Sequence, residues 1–168
     1  MYAGAAVVMG VASCGKTTVG EALARHVKAT FVEGDRLHAA ASVEKMSKGI
    51  PLTDEDRWPW LDRVGESLAG RDGVIASCSA LKKIYRDRIV AKAQRPVTFI
   101  LLHGDKALLQ QRIAERKGHF MPASLLDSQL ATLEIPGKDE RAVIVDIALP
   151  LNEQVAKAAH FLMKEHIL

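Results

Sequence analysis

Gly10, Gly15, Lys16 and Thr17 stand in the order G-x-x-x-x-G-K-T within the stretch MGVASCGKTT. The residue types and their spacing describe a phosphate cradle. Backbone N–H groups of a glycine-rich turn, here running through Ser13, Cys14 and Gly15 to Thr18, can wrap an anion, and the helix that follows adds partial positive charge at its N-terminus. Lys16 would reach the outer phosphates of a nucleotide and the Thr17 hydroxyl would bind magnesium. Cys14 has no evident chemistry and reads as a small filler. An apolar run precedes the motif and a helical pattern follows it, which is the context a phosphate loop requires.

A phosphate loop by itself does not separate kinases, ATPases, GTPases and passive sensors. No N-K-x-D segment is present to read guanine, and DRVG at 62–65 lies inside a helical pattern instead of after a strand, so a GTPase is set aside. The run GVIASCS ends in small polar residues with no aspartate at its tip. Magnesium would therefore rest mainly on Thr17 and water, with Asp35 as a further ligand, which suits a small kinase better than a motor ATPase. Asp35 falls at the end of a short apolar run, where open α/β sheets place their ligands. It reads either as a carboxylate that accepts a proton from an attacking hydroxyl or as a helix N-cap or surface aspartate. Arg112 and Arg116 are four apart on one helical face, so both could swing over nucleotide phosphates from a lid spanning about 112–124. The alternative is a pair of surface arginines with Glu115 and Asp105 as partners.

These groups need elements to position them. Short apolar, β-branched runs at 5–10, 30–34, 73–77, 98–103 and 142–147 read as strands buried on both faces, as in a parallel sheet. Helical patterns at 17–27, 42–48, 54–70, 82–92, 106–117, 124–133 and 151–164 alternate with them. The expected fold is α/β: a five-stranded parallel sheet with helices on both faces, the three-layer P-loop NTPase architecture. Trp58 and Trp60 are expected to pack the start of a helix, and the methionines to fill core.

A chain of 168 residues that is 48% hydrophobic suits one domain with a proper core, here 1–168. A formal net charge of +3, spread along the chain, argues against a dedicated nucleic-acid surface and fits a site for small anions. Cys14 and Cys78 are too few for a disulfide framework or a zinc site, which points to a reducing cytoplasm. AGAAVVMGVASC has the look of a short secretory segment but lacks a charged n-region, and Lys16 follows directly. No run approaches the roughly 18 apolar residues of a membrane helix.

Behind the phosphate loop come EGDRLHAAASVEKMSKGIPLTDEDRWPWL, CSALKKIYRD, KGHF and QLATLEIP, in that order. Together they closely resemble the gluconokinases, small P-loop kinases related to the shikimate kinases, over nearly the whole chain. The resemblance implies transfer of the γ-phosphate of ATP to the 6-hydroxyl of D-gluconate. It also implies Asp35 as base or orienter of that hydroxyl, His38 and Lys45 on the substrate side, Arg57 and Lys82 as the clamp for the gluconate carboxylate, and Arg86 as a weaker candidate. His119 of KGHF would contact substrate or cap a loop. Arg116 would stabilise transition-state charge, and Arg112 with the loop around Pro150 would sandwich adenine. A substrate segment at about 35–65 and a homodimer follow from the same resemblance. Where that family usually reads LHPxxNxxKM, this chain has Ala39 for proline and Ser42 for asparagine, and its loop has VASCGK where VSGSGK is common. Another hydroxy acid such as shikimate is the alternative acceptor, and a catalytically silent ATP-binding protein is the alternative class.

Overall fold

The computed structural model describes residues 1–115 and 123–167. Five strands, β1 (Ala5–Met9), β2 (Thr30–Glu33), β3 (Val74–Ser77), β4 (Thr98–His103) and β5 (Ala142–Asp146), form one sheet in the order β2-β3-β1-β4-β5. Every adjacent pair is parallel. Helices α1 (Lys16–Val27), α2 (Ala40–Ser47), α3 (Asp54–Leu68), α4 (Lys83–Ala93), α5 (Lys106–Glu115) and α6 (Ala123–Thr132) lie in the crossovers, α7 (Leu151–Ile167) follows β5, and a 3-10 turn at Gly34–Leu37 leads out of β2.

β1 shows why the sheet needs two cover layers. All five of its residues are buried, and because side chains alternate along a strand, Ala6 and Val8 join one core with Leu23, Val27, Ala158 and Leu162 of α1 and α7. Ala5, Val7 and Met9 join the other, with Leu61, Val64, Leu68 and Ile89 of α3 and α4. That is the three-layer arrangement expected from strands without polar alternation. Helices α3 and α4 press together at Gly65, where a Cβ would lie 2.7 Å from the carbonyl oxygen of Ile89.

The expected elements are all present, with ends shifted by a few residues. α7 runs three residues past its expected end, to Ile167, and α2 begins at Ala40 instead of Ser42. Alanine has the highest helix propensity, so the run Ala40–Ala41 extends the helix backward. Ala39 sits at its N-cap with φ −66° and ψ 152°, the φ that a proline ring would fix. Alanine there keeps the conformation and loses only the rigidity. Ser42 is buried on the inner side of α2.

α3 is fixed at its start by a capping box. Thr53 Oγ1 accepts from the Asp56 N–H at 3.1 Å, and Asp56 Oδ2 accepts from the Thr53 N–H at 2.9 Å. That backbone bond, and then Lys45, hold the Asp56 carboxyl down at about 2. Its folded value lies below the unfolded one, so the stability it contributes is present above pH ~4 and is lost as pH falls toward ~2. Asp56→Asn is expected to flatten the dependence of the urea midpoint on pH across that window; an unchanged slope would assign the acid sensitivity to other carboxylates.

Candidate active site

The strand order reverses at β1: its neighbour on one side is β3 and on the other β4, and the connections leave in opposite directions. Such a switch point opens a crevice at the C-terminal ends of the strands. The phosphate loop leaves β1 at that edge. Gly10 has φ +146°, and a Cβ on it would lie 2.7 Å from Cys14 Sγ and 2.8 Å from the Leu102 carbonyl oxygen, so only glycine lets the loop turn there. Gly15, at φ 98°, is the N-cap of α1, whose first turn holds no acidic residue to neutralise its N–H groups. Lys16 Nζ arches back over the loop and donates to the carbonyls of Gly10 and Val11, both at 3.1 Å. The Cys14 side chain is buried, and burial pushes its thiol up, against the pull of Lys16.

From β2, the next strand but one, comes a group that the sequence reading passed over. Glu33 Oε2 accepts from the Thr17 hydroxyl at 2.6 Å, and Glu33 Oε1 accepts from Ser77 Oγ at 2.5 Å. Thr17 and Glu33 thus set a hydroxyl beside a carboxylate at the mouth of the phosphate loop, a hard-oxygen pair of the kind magnesium takes. No cluster of three or more His, Cys, Asp or Glu that could hold a metal alone occurs among the described residues.

Asp35 follows on the 3-10 turn. It is exposed and makes no hydrogen bond or ion pair among the described residues. The backbone next to it is held firmly: Trp60 Nε1 donates to the Gly34 carbonyl at 2.8 Å, and Ser77 Oγ accepts from the Gly34 N–H at 3.2 Å. His38 stacks on Trp60 with ring centroids 4.0 Å apart. Burial lowers its pKa, nearby Asp35 opposes that shift, and Arg57 adds to it. A lowered value biases the ring toward its neutral form. Its Nδ1 is buried with no hydrogen-bond partner among the described residues.

The two clamp candidates meet around one acid. Asp54, the first residue of α3, lies 3.9 Å from Arg57 and 3.4 Å from Lys82, and accepts a short hydrogen bond from the Tyr85 hydroxyl. Arg57 and Lys82 both lie over the Tyr85 ring, at 5.4 and 5.5 Å, and Arg57 also donates to the Leu52 carbonyl at 2.7 Å. Asp54 had no part in the sequence reading.

The other candidates stand elsewhere. Lys45 pairs with Asp56 at 2.9 Å and ties α2 to the start of α3. Arg86 is not open to a ligand: it is 1% exposed and paired with Glu140 at 2.6 Å. It also donates to the carbonyls of Ala80, Leu81 and Glu134, so it locks the loop carrying Lys82 against 134–140. Breaking a buried pair from one side typically costs about 3–5 kcal/mol. Arg86→Met should accordingly lower the melting temperature by many degrees, and Arg86→Met with Glu140→Leu should recover much of the loss; a single variant as stable as the parent would show the pair to be idle. Arg112 Nη2 donates to the Ile147 carbonyl at 2.6 Å, and Gln154 holds the Leu149 carbonyl at 2.8 Å, so Arg112 lies against the loop that leads to Pro150. Gln129 of α6 was also passed over; its Oε1 accepts from the Ala12 N–H of the phosphate loop at 2.7 Å. Arg116, His119 and the middle of the expected lid lie outside the described residues.

A family model described as an AAA domain matches residues 6–136. The gluconokinase of Gluconobacter oxydans is 49% identical over 143 residues, covering 83% of this chain and 80% of that protein. Among solved structures, a gluconokinase from Sinorhizobium meliloti superposes with a TM-score of 0.90 at 50% identity, over 97% of this chain and 93% of that one. A shikimate kinase from Bacteroides thetaiotaomicron, at 16% identity and a TM-score of 0.68 over 95% of this chain and 98% of that one, shares the fold.

Proposed function

This chain belongs to the gluconokinase family, and we propose that it phosphorylates D-gluconate at the 6-hydroxyl with ATP as donor, giving 6-phosphogluconate and ADP. What carries the proposal is the meeting, at the ends of three neighbouring strands, of a complete phosphate loop, the Thr17–Glu33 pair and an unengaged carboxylate at Asp35.

In this reading the N–H groups from Ser13 to Thr18 and the Lys16 ammonium hold the β- and γ-phosphates. Lys16 exchanges its two loop carbonyls for phosphate oxygens, a charge-assisted and therefore stronger pairing. Thr17 directly, and Glu33 beside it, are the residues that would hold Mg2+, with Asp35 as a further ligand. Such an ion would supply positive charge against the negative charge that builds during transfer. Asp35 accepts the proton of the attacking hydroxyl, or orients that hydroxyl in line with the γ-phosphate. His38, its ring biased toward the neutral form and its Nδ1 unpaired among the described residues, meets a substrate hydroxyl, and Arg57 and Lys82 take the carboxylate in place of their shared partner Asp54. Lys45 sets the substrate segment through Asp56. Arg112 and the Pro150 loop flank the adenine, Arg116 serves to stabilise transition-state charge, and His119 serves substrate binding. We carry a cytoplasmic homodimer in the same proposal; among the described residues no helix is long and apolar enough to cross a membrane.

A panel of polyol and hydroxy acids, including D-gluconate and shikimate, assayed by coupled ADP release tests the acceptor. D-gluconate should give the highest kcat/KM, and turnover with another acid but not with gluconate would overturn the assignment. Arg57→Ala is expected to raise the KM for gluconate about 10–100-fold, the worth of a hydrogen bond to a charged group, with kcat little changed. An unchanged KM would move the carboxylate clamp elsewhere.

A further inference from the structure

We propose that Ser77 is a positioning residue that orients both acidic groups of the site, the Glu33 carboxylate on Thr17 and the turn that carries Asp35; this rests on the reading of Thr17 and Glu33 as the magnesium-facing pair. Ser77 is the last residue of β3, 1% exposed, and paired in register with Glu33 of β2. A serine hydroxyl has one hydrogen to give and lone pairs to receive. The Gly34 N–H can only donate, and it points into Ser77 Oγ at 3.2 Å. The single Ser77 hydrogen is therefore committed to Glu33 Oε1, at 2.5 Å. Glu33 Oε2 is in turn taken by the Thr17 hydroxyl at 2.6 Å.

The result is a directed chain: Gly34 N–H to Ser77, Ser77 to Glu33, and Thr17 to Glu33. Its directions have a chemical consequence at each end. At Thr17, donation to Glu33 commits the hydrogen and leaves the oxygen lone pairs for a cation. At Gly34, the N–H is held by Ser77 and the carbonyl by Trp60 Nε1, while a Cβ on Gly34 would lie only 1.8 Å from the Ser77 carbonyl oxygen. The exit from β2 is thus pressed onto Ser77, and Asp35 is the next residue. A small polar residue at the tip of β3 stands where an acid is often sought, and it acts through the acid on the neighbouring strand.

The test is the coupling between Mg2+ and nucleotide, measured by calorimetry as the ratio of ADP affinities with and without Mg2+. Loss of a group that orients a metal-facing residue typically costs 10–100-fold, so Ser77→Ala should reduce that ratio by about tenfold, with ADP affinity in the absence of Mg2+ unchanged. Ser77→Thr, which keeps the hydroxyl, should retain the ratio. Ser77→Cys fills the same space with a feeble donor and should behave like alanine even if Ser77→Ala folds poorly. A merely structural serine would lower the melting temperature and leave the ratio alone; a parental ratio in folded Ser77→Ala or Ser77→Cys overturns the proposal. Glu33→Gln separates the two levels. If it lowers the ratio while the Ser77 variants do not, only the role of Ser77 fails, whereas a parental ratio in Glu33→Gln removes the metal-facing reading itself.

Discussion

Replacing Lys16 by alanine is expected to lower kcat by about 10²–10³-fold, the usual effect of removing one preorganised group aimed at charge that grows during the reaction. The phosphate loop offers two kinds of stabilisation. The N–H groups around Gly15 and the start of α1 are fixed by the backbone and survive the substitution. The Lys16 ammonium is the side-chain part, resting on the carbonyls of Gly10 and Val11. Because the remaining N–H groups still hold the phosphates, ADP binding should weaken far less than kcat falls. Pre-steady-state turnover and nucleotide affinity measured on the same preparation check this. A kcat within a few-fold of the parent would mean that Lys16 only tethers the loop.

Asp35→Ala should cost about 10²–10⁴-fold in kcat, the range for a positioned acid or base. Three features of its setting support so large an effect. Its carboxylate makes no hydrogen bond or ion pair among the described residues, the preceding Gly34 is held by Ser77 and Trp60, and it leaves the sheet beside the Thr17–Glu33 pair. Asp35→Asn keeps the shape and removes proton acceptance, so it should be nearly as slow as alanine if Asp35 takes the proton, and much faster if Asp35 only orients the hydroxyl. Gluconate KM is the control, since a site that had lost its substrate pocket would raise it sharply. Turnover like the parent's in Asp35→Ala would remove this residue from the mechanism.

The sheet was legible because each strand is centred on a short apolar, β-branched run and the runs alternate with helical patterns; β4, at 98–103, falls on the expected bounds. The phosphate loop was legible because its residues are contiguous. The Glu33 role was not, because it depends on neighbours 16 and 44 positions away along the chain, brought together only by the strand order. Looking for an acid at the tip of β3 missed one on β2, although the pattern E-G-D puts two carboxylates on either side of a glycine. Arg86 shows the opposite difficulty. An arginine read in isolation is taken as exposed, and only the fold reveals Glu140 and three carbonyls enclosing it. Asp54 and Gln129 carry no local signal at all, since what matters is which cations or loop N–H they meet after folding. Arg57 and Lys82, by contrast, came from separate motifs and meet at Asp54.

The most direct measurement is ADP release by the purified protein with magnesium and ATP, with and without D-gluconate, alongside identification of the phosphorylated product. The account predicts a strong gluconate-dependent rate, with one 6-phosphogluconate formed for each ADP. A rate that stays at the level without acceptor would contradict it, leaving a nucleotide-binding loop without the transfer chemistry assigned to Asp35.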